Sequence, residues 1–219
     1  ASSARDFDEL YSQSLVAYAR LRPTWDEKLF ERYVTRFDLK VCRKYVRKLS
    51  GGQAAILSAS IALASGAPLT LLDEIQAPLD VPTRYAFYEE ILTLAGECLE
   101  GKRPPRRFLI SSHMVSELEK VAEDVIVLKS GRLLAHESVD DFTARVTSIT
   151  GHASDVERFL ATHPDLTVIA SRALGATREI VVDLRAGTVG DTELASHSLT
   201  SSPCSFQDAF AYLIQENDQ

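Results

Sequence analysis

The chain is short of several things that would fix its class at once. None of its apolar runs approaches the roughly 18 residues needed to cross a bilayer, and residues 1 to 9 are polar and acidic, so no signal peptide and no direct membrane insertion are read. Cysteine is scarce: Cys42, Cys98 and Cys204 are odd in number and far apart. They form neither a disulfide framework nor a metal-ligand spacing, and they point to a reducing cytoplasm. Positive charge is in deficit, with a net charge of −7. A whole-surface footprint for nucleic acid is excluded, and no nucleic-acid partner is expected. What remains is ordinary: 45% apolar and 25% charged residues over 219 positions, enough for a real core in one domain or in one with a small appendage.

Residues 7 to 21 place Phe7, Leu10, Tyr11, Leu15 and Tyr18 on one helical stripe. After a break at "RPT", Thr24 and Glu27 read as a capping box. Trp25 follows as a packing anchor, and Leu29, Phe30, Tyr33, Val34 and Phe37 continue the stripe. Residues 6 to 45 therefore read as two packed helices. The basic run "RKYVRK" (43 to 48) reads as a solvated loop, or as electrostatic help for a nearby anion. "LTLL" (69 to 72) is a buried strand ending in two acids, 82 to 95 a helix, and "EGKRPPRR" (100 to 107) a solvated loop. "FLISS" (108 to 112) is a second strand, followed by a helix at about 115 to 122. "DVIVL", "KSGR" and "LLAHE" form a strand, a turn and a returning strand, and Ser138 with Asp141 caps the next helix. The alternation of helix and strand from 49 to 128 predicts a parallel sheet with helices on its faces. From about 147 the texture changes to that of a small α+β appendage.

Three places can carry chemistry. Ser50, Gly51 and Gly52 open a long uncharged helix. The first turn of a helix has unpaired N–H groups and partial positive charge, which suits an anion. Taken alone, Ser50 reads first as a plain N-cap and second as a phosphate donor. Asp73 and Glu74 stand at the end of an apolar strand, where open α/β sheets bind ligands. There an aspartate can hold Mg²⁺, and a glutamate can polarise a water or take its proton. A solvent-facing acidic pair is the equal alternative. His113 alone of five histidines follows an apolar strand directly; it can contact a phosphate, or simply sit satisfied at a strand–helix junction. His136, His152, His163 and His197 read as surface.

"LSGGQ", "LTLLDE", "APLD" and "LISSH", in that order and at compact spacing, resemble the nucleotide-binding subunit of ABC-type transporters. The resemblance runs from about residue 7 to 146. "LRPTWDEKLFERYVTRFDL" is similar to the matching stretch of a bacterial exporter subgroup. The resemblance implies a partial P-loop NTPase domain of α/β class. Residues 1–48 would be a helical subdomain facing a membrane permease subunit, 49–146 the second half of the nucleotide-binding core, and 147–219 a C-terminal accessory region. It implies ATP and Mg²⁺ as cofactors and a head-to-tail dimer with a second nucleotide-binding subunit, identical or paralogous. Within it, Ser50, Gly51, Gly52 and Gln53 would bind the γ-phosphate of ATP held by the partner, and Asp73 would help hold Mg²⁺. Glu74 would act on the attacking water, His113 would contact the γ-phosphate, and Asp80 would work across the dimer seam. The expected location is the cytoplasm, at the inner face of the membrane through the permease.

The pattern also departs from that family. No stretch supplies G-x-x-x-x-G-K-[ST], whose N–H groups and lysine cradle phosphates. The P-loop, the adenine-stacking aromatic and the first strands are expected upstream of Ala1, and a sheet without them would expose apolar faces and an open edge. The 219 residues alone are expected not to hydrolyse ATP. Ile75 and Gln76 replace a proline and a small polar residue, Pro78 replaces a glycine or alanine, and Ala54, Ala55 and Ile56 follow the signature. A degenerate, non-hydrolysing interaction module is the alternative function. ABC ATPases of DNA repair or translation are a third, against which stand the lack of sustained heptads in 1 to 48 and the single cassette.

Overall fold

A computed structural model describes residues 12–39, 48–184 and 189–216. Phe7, Leu10, Tyr11, Cys42 and residues 43–47 of the basic run lie outside them. The chain divides into two compact units, Ala1–His113 and Met114–Gln219.

In the first unit, helices α1 (Ser12–Ala19), α2 (Glu27–Arg36) and α3 (Gly51–Ala64) form a layer. Its core is Val16, Ala19, Phe30, Leu57, Ile61 and Ala64, with Leu15, Trp25 and Val34 packed against it. Trp25 is the anchor its sequence context predicts: its ring centroid lies 5.2 Å from that of Phe30. The capping box expected at Thr24 does not form. Asp26 caps α2 by accepting from Leu29 N at 2.9 Å. Thr24 instead donates to Ser65 O across the layer, and Glu27 accepts from Trp25 Nε1 at 2.7 Å. Asp26, two residues on, takes the cap, and the tertiary contact takes Thr24.

Strands β1 (Leu69–Asp73) and β2 (Arg107–Ser111) pair in parallel, in the register Leu71↔Leu109 and Asp73↔Ser111. They are joined through α4 (Val81–Leu99), which buries Phe87, Tyr88, Ile91 and Leu94. One face of the pair buries Thr70 and Leu72, whereas Leu69, Leu71 and Leu109 on the other are 55%, 64% and 50% exposed. Parallel strands ordinarily bury both faces, so this apolar face is unusual.

The loop 100 to 107 is not merely solvated. Arg106 clasps the end of α3, donating to Leu63 O at 2.7 Å and Ala67 O at 3.0 Å, and reaches Thr70 Oγ1 on β1 at 3.2 Å. Arg103 pairs with Asp26 and Glu97, and Arg32 bridges Glu90 at 2.9 Å and Glu97 at 3.0 Å. Arginine forks here satisfy carbonyls and carboxylates that folding brings together.

The second unit starts with the short helix α5 (Val115–Leu118), which ends sooner than the 115–122 span expected. Strands β3 (Asp124–Lys129) and β4 (Arg132–Ser138) form an antiparallel hairpin. Its two-residue turn has positive φ at both Ser130 and Gly131, as a type I′ turn demands. The expectation that β3 continues the parallel sheet fails: among the described residues it pairs with β4 alone. Helix α6 (Val139–Ala144) is capped by Ser138, which accepts from Asp141 N at 3.0 Å.

Then β5 (Val146–His152), α7 (Ala153–Thr162), β6 (Thr167–Leu174), β7 (Thr177–Asp183), α8 (Asp191–Ser196) and β8 (Thr200–Pro203) follow. They build an antiparallel sheet in the order β6-β7-β5-β8, the ferredoxin-like split βαβ arrangement. Alternation along the strands sends Ile149, Ile180 and Val182 into one core with Val156, Phe159 and Leu194. It sends Val146 and Val181 into another, with Phe142, Val127 and Ala135 and with Phe206, Ala209 and Leu213 of α9 (Phe206–Glu216). The hairpin and α6 therefore share a core with 146–216, and the observed division at 113/114 differs from the sequence boundaries at 48/49 and 146/147. His163 and His197 are not simple surface residues. His163 stacks on Phe159 at 4.2 Å and reaches Glu193 Oε1 at 2.9 Å, and His197 meets the same ring edge-on at 5.5 Å.

Two predictions test this frame. Gly66 has φ +68, and a Cβ there would sit 2.1 Å from Thr24 O. Gly66→Ala is expected to cost about 2–4 kcal/mol, combining left-handed strain with a backbone clash, read as a lowered urea midpoint. A change below about 0.5 kcal/mol contradicts the packing described. The second concerns acid. Burial alone would raise the Asp26 and Glu97 carboxyls, but hydrogen bonds from Arg103, with Leu29 N for Asp26 and Arg32 for Glu97, bring both below their ordinary values. Their contribution is therefore present above the usual carboxylate range near pH 4 and is lost as the pH falls through the depressed folded values. The stability gap between parent and Asp26→Asn is expected to be constant from pH 7 to 5 and to close below pH 4; a gap independent of pH contradicts the pairing.

Candidate functional site

Helix α3 starts where Ser50 leaves the helical region (φ −63, ψ 159). Its Oγ accepts from Gln53 N at 3.2 Å, and Gln53 Oε1 accepts from Ser50 N at 3.0 Å. This reciprocal capping box makes Ser50 the N-cap that its residue type suggests. The cap uses the serine oxygen as acceptor and leaves its O–H free to donate. Ser50, Gly51 and Gln53 are exposed. The N–H groups of this first turn and the dipole of a 14-residue helix are thus presented at the surface, a donor set that suits a phosphate. The two glycines also answer to their own chain. A Cβ on Gly52 would stand 3.1 Å from Pro78 O, and one on Gly51 would stand 3.4 Å from Pro78 Cβ.

Pro78 belongs to the loop that leaves β1. Asp73 ends the strand, and Ser111 at the paired position on β2 donates its hydroxyl proton to Asp73 Oδ1. Glu74 adopts φ +49, in the left-handed region, and its N–H donates to Ser111 Oγ at 3.0 Å. Its side chain meets His113, with Oε2 and Nδ1 2.7 Å apart, and the two side chains are 41% and 70% exposed. Gln76, two residues on, is wholly buried and donates Nε2 to Ser111 O at 3.1 Å. The loop closes on Asp80, which caps α4 by accepting from Thr83 N at 2.9 Å. Hydrogen bonds from the Thr83 hydroxyl and N–H hold the Asp80 carboxyl below its ordinary value.

The structure therefore brings Asp73, Glu74 and His113 together at the carboxyl ends of two parallel strands. It sets the Ser50–Gln53 turn against the loop between Asp73 and Asp80 through Pro78. Two residues not read as site residues in the sequence join them: Ser111, and Gln76, which is noted there only as a departure from the family pattern. Ser111 is missed because aligning the expected strand ends, Leu72 and Ser112, sets it opposite Leu71; only the observed register Asp73↔Ser111 brings it to the aspartate. Gln76 carries no signal in sequence, because a glutamine in a turn ordinarily faces solvent.

The donor set fits a magnesium nucleotide without a dedicated metal cage. No group of three or more His, Cys, Asp or Glu side chains suited to a metal exists among the described residues. Asp73 accepts from Ser111 through Oδ1. Mg²⁺ is ordinarily held by one or two carboxylates with phosphates and waters. No helix among the described residues is long and apolar enough to cross a membrane.

No family model matches the chain. Individual proteins do. The choline transport ATP-binding protein OpuBA of Bacillus subtilis is 28% identical over 153 residues, covering 63% of this chain and 38% of that protein. The Nod factor export ATP-binding protein I of Neorhizobium galegae is 30% identical over 129 residues, covering 59% and 33%. The molybdenum import ATP-binding protein ModC of Shewanella oneidensis is 32% identical over 114 residues, covering 52% and 30%. The matches thus span between 30% and 38% of each relative's length. Among solved structures, an ATP-binding subunit of an ABC transporter superposes with a TM-score of 0.52 at 21% identity, over 63% of this chain and 56% of that one. A protein described as a cobalt transport ATP-binding protein gives 0.51 at 18% identity, over 83% and 62%. The chain is similar in sequence to ATP-binding subunits of ABC transporters and carries part of the α/β fold of their ATP-binding domain.

Proposed function

We propose that the chain is part of a nucleotide-binding subunit that hydrolyses ATP at a head-to-tail dimer interface and drives transport through a membrane permease from its cytoplasmic side. The observation that carries this reading is the 2.7 Å contact between Glu74 and His113 at the end of β1 and β2, with an exposed helix N-terminus packed on the same loop. Glu74 holds a carboxylate where a water can be oriented and relieved of its proton. His113, through Nδ1, fixes the direction of that carboxylate, and with both ring nitrogens protonated its Nε2–H would donate to a phosphate oxygen. Asp73 offers one carboxylate oxygen to Mg²⁺, which when bound neutralises charge on the transferring phosphoryl group. Ser50 and the first N–H groups of α3 bind the terminal phosphate of a nucleotide seated on the opposite subunit.

No P-loop motif occurs among these 219 residues. The reading therefore requires a cradle for the nucleotide's own phosphates from another segment or chain, and the exposed apolar face of Leu69, Leu71 and Leu109 is a surface that such a segment could cover.

The 219-residue chain alone is expected to give no measurable ATP turnover. In an assembly that adds the P-loop-bearing segment, Glu74→Gln is expected to lower kcat about 10²–10⁴-fold while ATP binding persists. Turnover within about twofold of the parent in that variant, or turnover by the isolated chain, overturns the reading in favour of a different catalytic base or a different site. Tight nucleotide binding with no hydrolysis in the parent assembly overturns it in favour of a non-hydrolysing module.

A further inference from the structure

We infer that Ser111 and Gln76 are the positioning residues of the two acidic side chains, and this rests on the assignment of Asp73 and Glu74 as the groups that handle metal and water. Ser111 has one proton and commits it to Asp73 Oδ1, while its oxygen receives the Glu74 N–H at 3.0 Å. One hydroxyl thus touches both consecutive acids, from the neighbouring strand and in register with the first of them. That matters because consecutive residues of a regular strand send their side chains to opposite faces. Glu74 escapes the alternation by turning into the left-handed region at φ +49. A residue with a Cβ holds such a conformation only where its surroundings enforce it. The Ser111 oxygen is what the Glu74 N–H meets after the turn, and from there Glu74 Oε2 reaches His113 at 2.7 Å.

Gln76 secures the hub from below. Its Nε2 donates to the Ser111 carbonyl at 3.1 Å, its side chain is 0% exposed, and its Oε1 has no partner among the described residues. A buried amide left half-satisfied is unfavourable against an apolar side chain of equal size. It is therefore poorly explained as packing, and well explained as a tie between the loop after β1 and the end of β2. The same loop carries Pro78 against Gly52, so the tie sits between the acidic pair and the helix N-terminus. Ser111 contacts Asp73 and the Glu74 N–H directly, and Gln76 acts through Ser111.

The test uses Ser111→Ala, Ser111→Thr and Gln76→Met, the last keeping volume while removing the donor. In the 219-residue chain, amide hydrogen exchange is read at Glu74 and, as a control, at Leu72. Ser111→Ala is expected to speed exchange at Glu74 about tenfold or more with Leu72 unchanged, and Ser111→Thr is expected to restore protection. In the hydrolysing assembly, Ser111→Ala and Gln76→Met are expected to lower kcat about 10–100-fold with KM for ATP within about twofold, and Ser111→Thr is expected to recover most of the rate. If Glu74→Gln abolishes turnover while Ser111→Ala and Gln76→Met retain parental kcat, this inference is wrong and the proposed function stands. If Glu74→Gln itself turns over normally, the proposed function fails first. If Ser111→Ala loses protection throughout β1 and Gln76→Met keeps parental kcat, the two residues only stabilise the fold and the inference is overturned.

Discussion

The parallel pairing of β1 with β2 is the constraint on which the site depends. It sets Asp73 beside Ser111 and delivers His113 two residues beyond the paired strand end, close enough to meet Glu74. A one-residue slip would exchange the buried Leu72 for an exposed leucine and separate the serine from the aspartate. The register is thus enforced by burial on one face and by polar bonds at the strand ends. The chemistry and the fold are stabilised by the same few contacts.

Around that pair, the first unit is built to hold the helix N-terminus and the strand ends in one frame. Arg106 ties the last carbonyls of α3 to β1, so the helix that presents Ser50 at one end is anchored to the acidic strand at the other. The Asp26–Arg103–Glu97–Arg32–Glu90 chain of ion pairs joins α2 to the far end of α4. Such partly exposed pairs contribute modestly to stability. As a connected network they fix directions, which a site built from several elements needs. The second unit solves a different problem. Its split βαβ sheet is covered on both faces, by α7 and α8 on one side and by α6 and α9 on the other.

Much of this was legible in the residues because the signals are local. "LSGGQ" carries its own helix start, with Ser50 and Gln53 capping each other. "LTLLDE" and "LISSH" carry their strands and the polar residues that end them. Several misreadings arise where a distant partner decides. Thr24 looked like a cap until Ser65 offered a carbonyl. The arginines at 103 and 106 looked solvated until Asp26, Glu97 and the end of α3 were folded against them. His163 looked like surface because nothing near it in sequence hints at Glu193. The hairpin of β3 with β4 is legible from its turn, but the apolar pattern of β3 fits any sheet and does not show that it stays out of the parallel pair. Gln76 is the extreme case, since its burial is a property of the loop as a whole.

The central claim is that the Ser50–Gly52 turn grips a nucleotide carried by a different copy. The direct measurement is a structure of the Glu74→Gln assembly bound to Mg²⁺ and ATP. The account predicts a terminal phosphate oxygen within hydrogen-bond distance, about 3 Å, of Ser50 Oγ and of an N–H of the Gly51–Gly52 turn, with the nucleotide's other phosphates held by the opposing subunit. A nucleotide bound wholly within one subunit, with Ser50 and its glycines facing solvent, would contradict it.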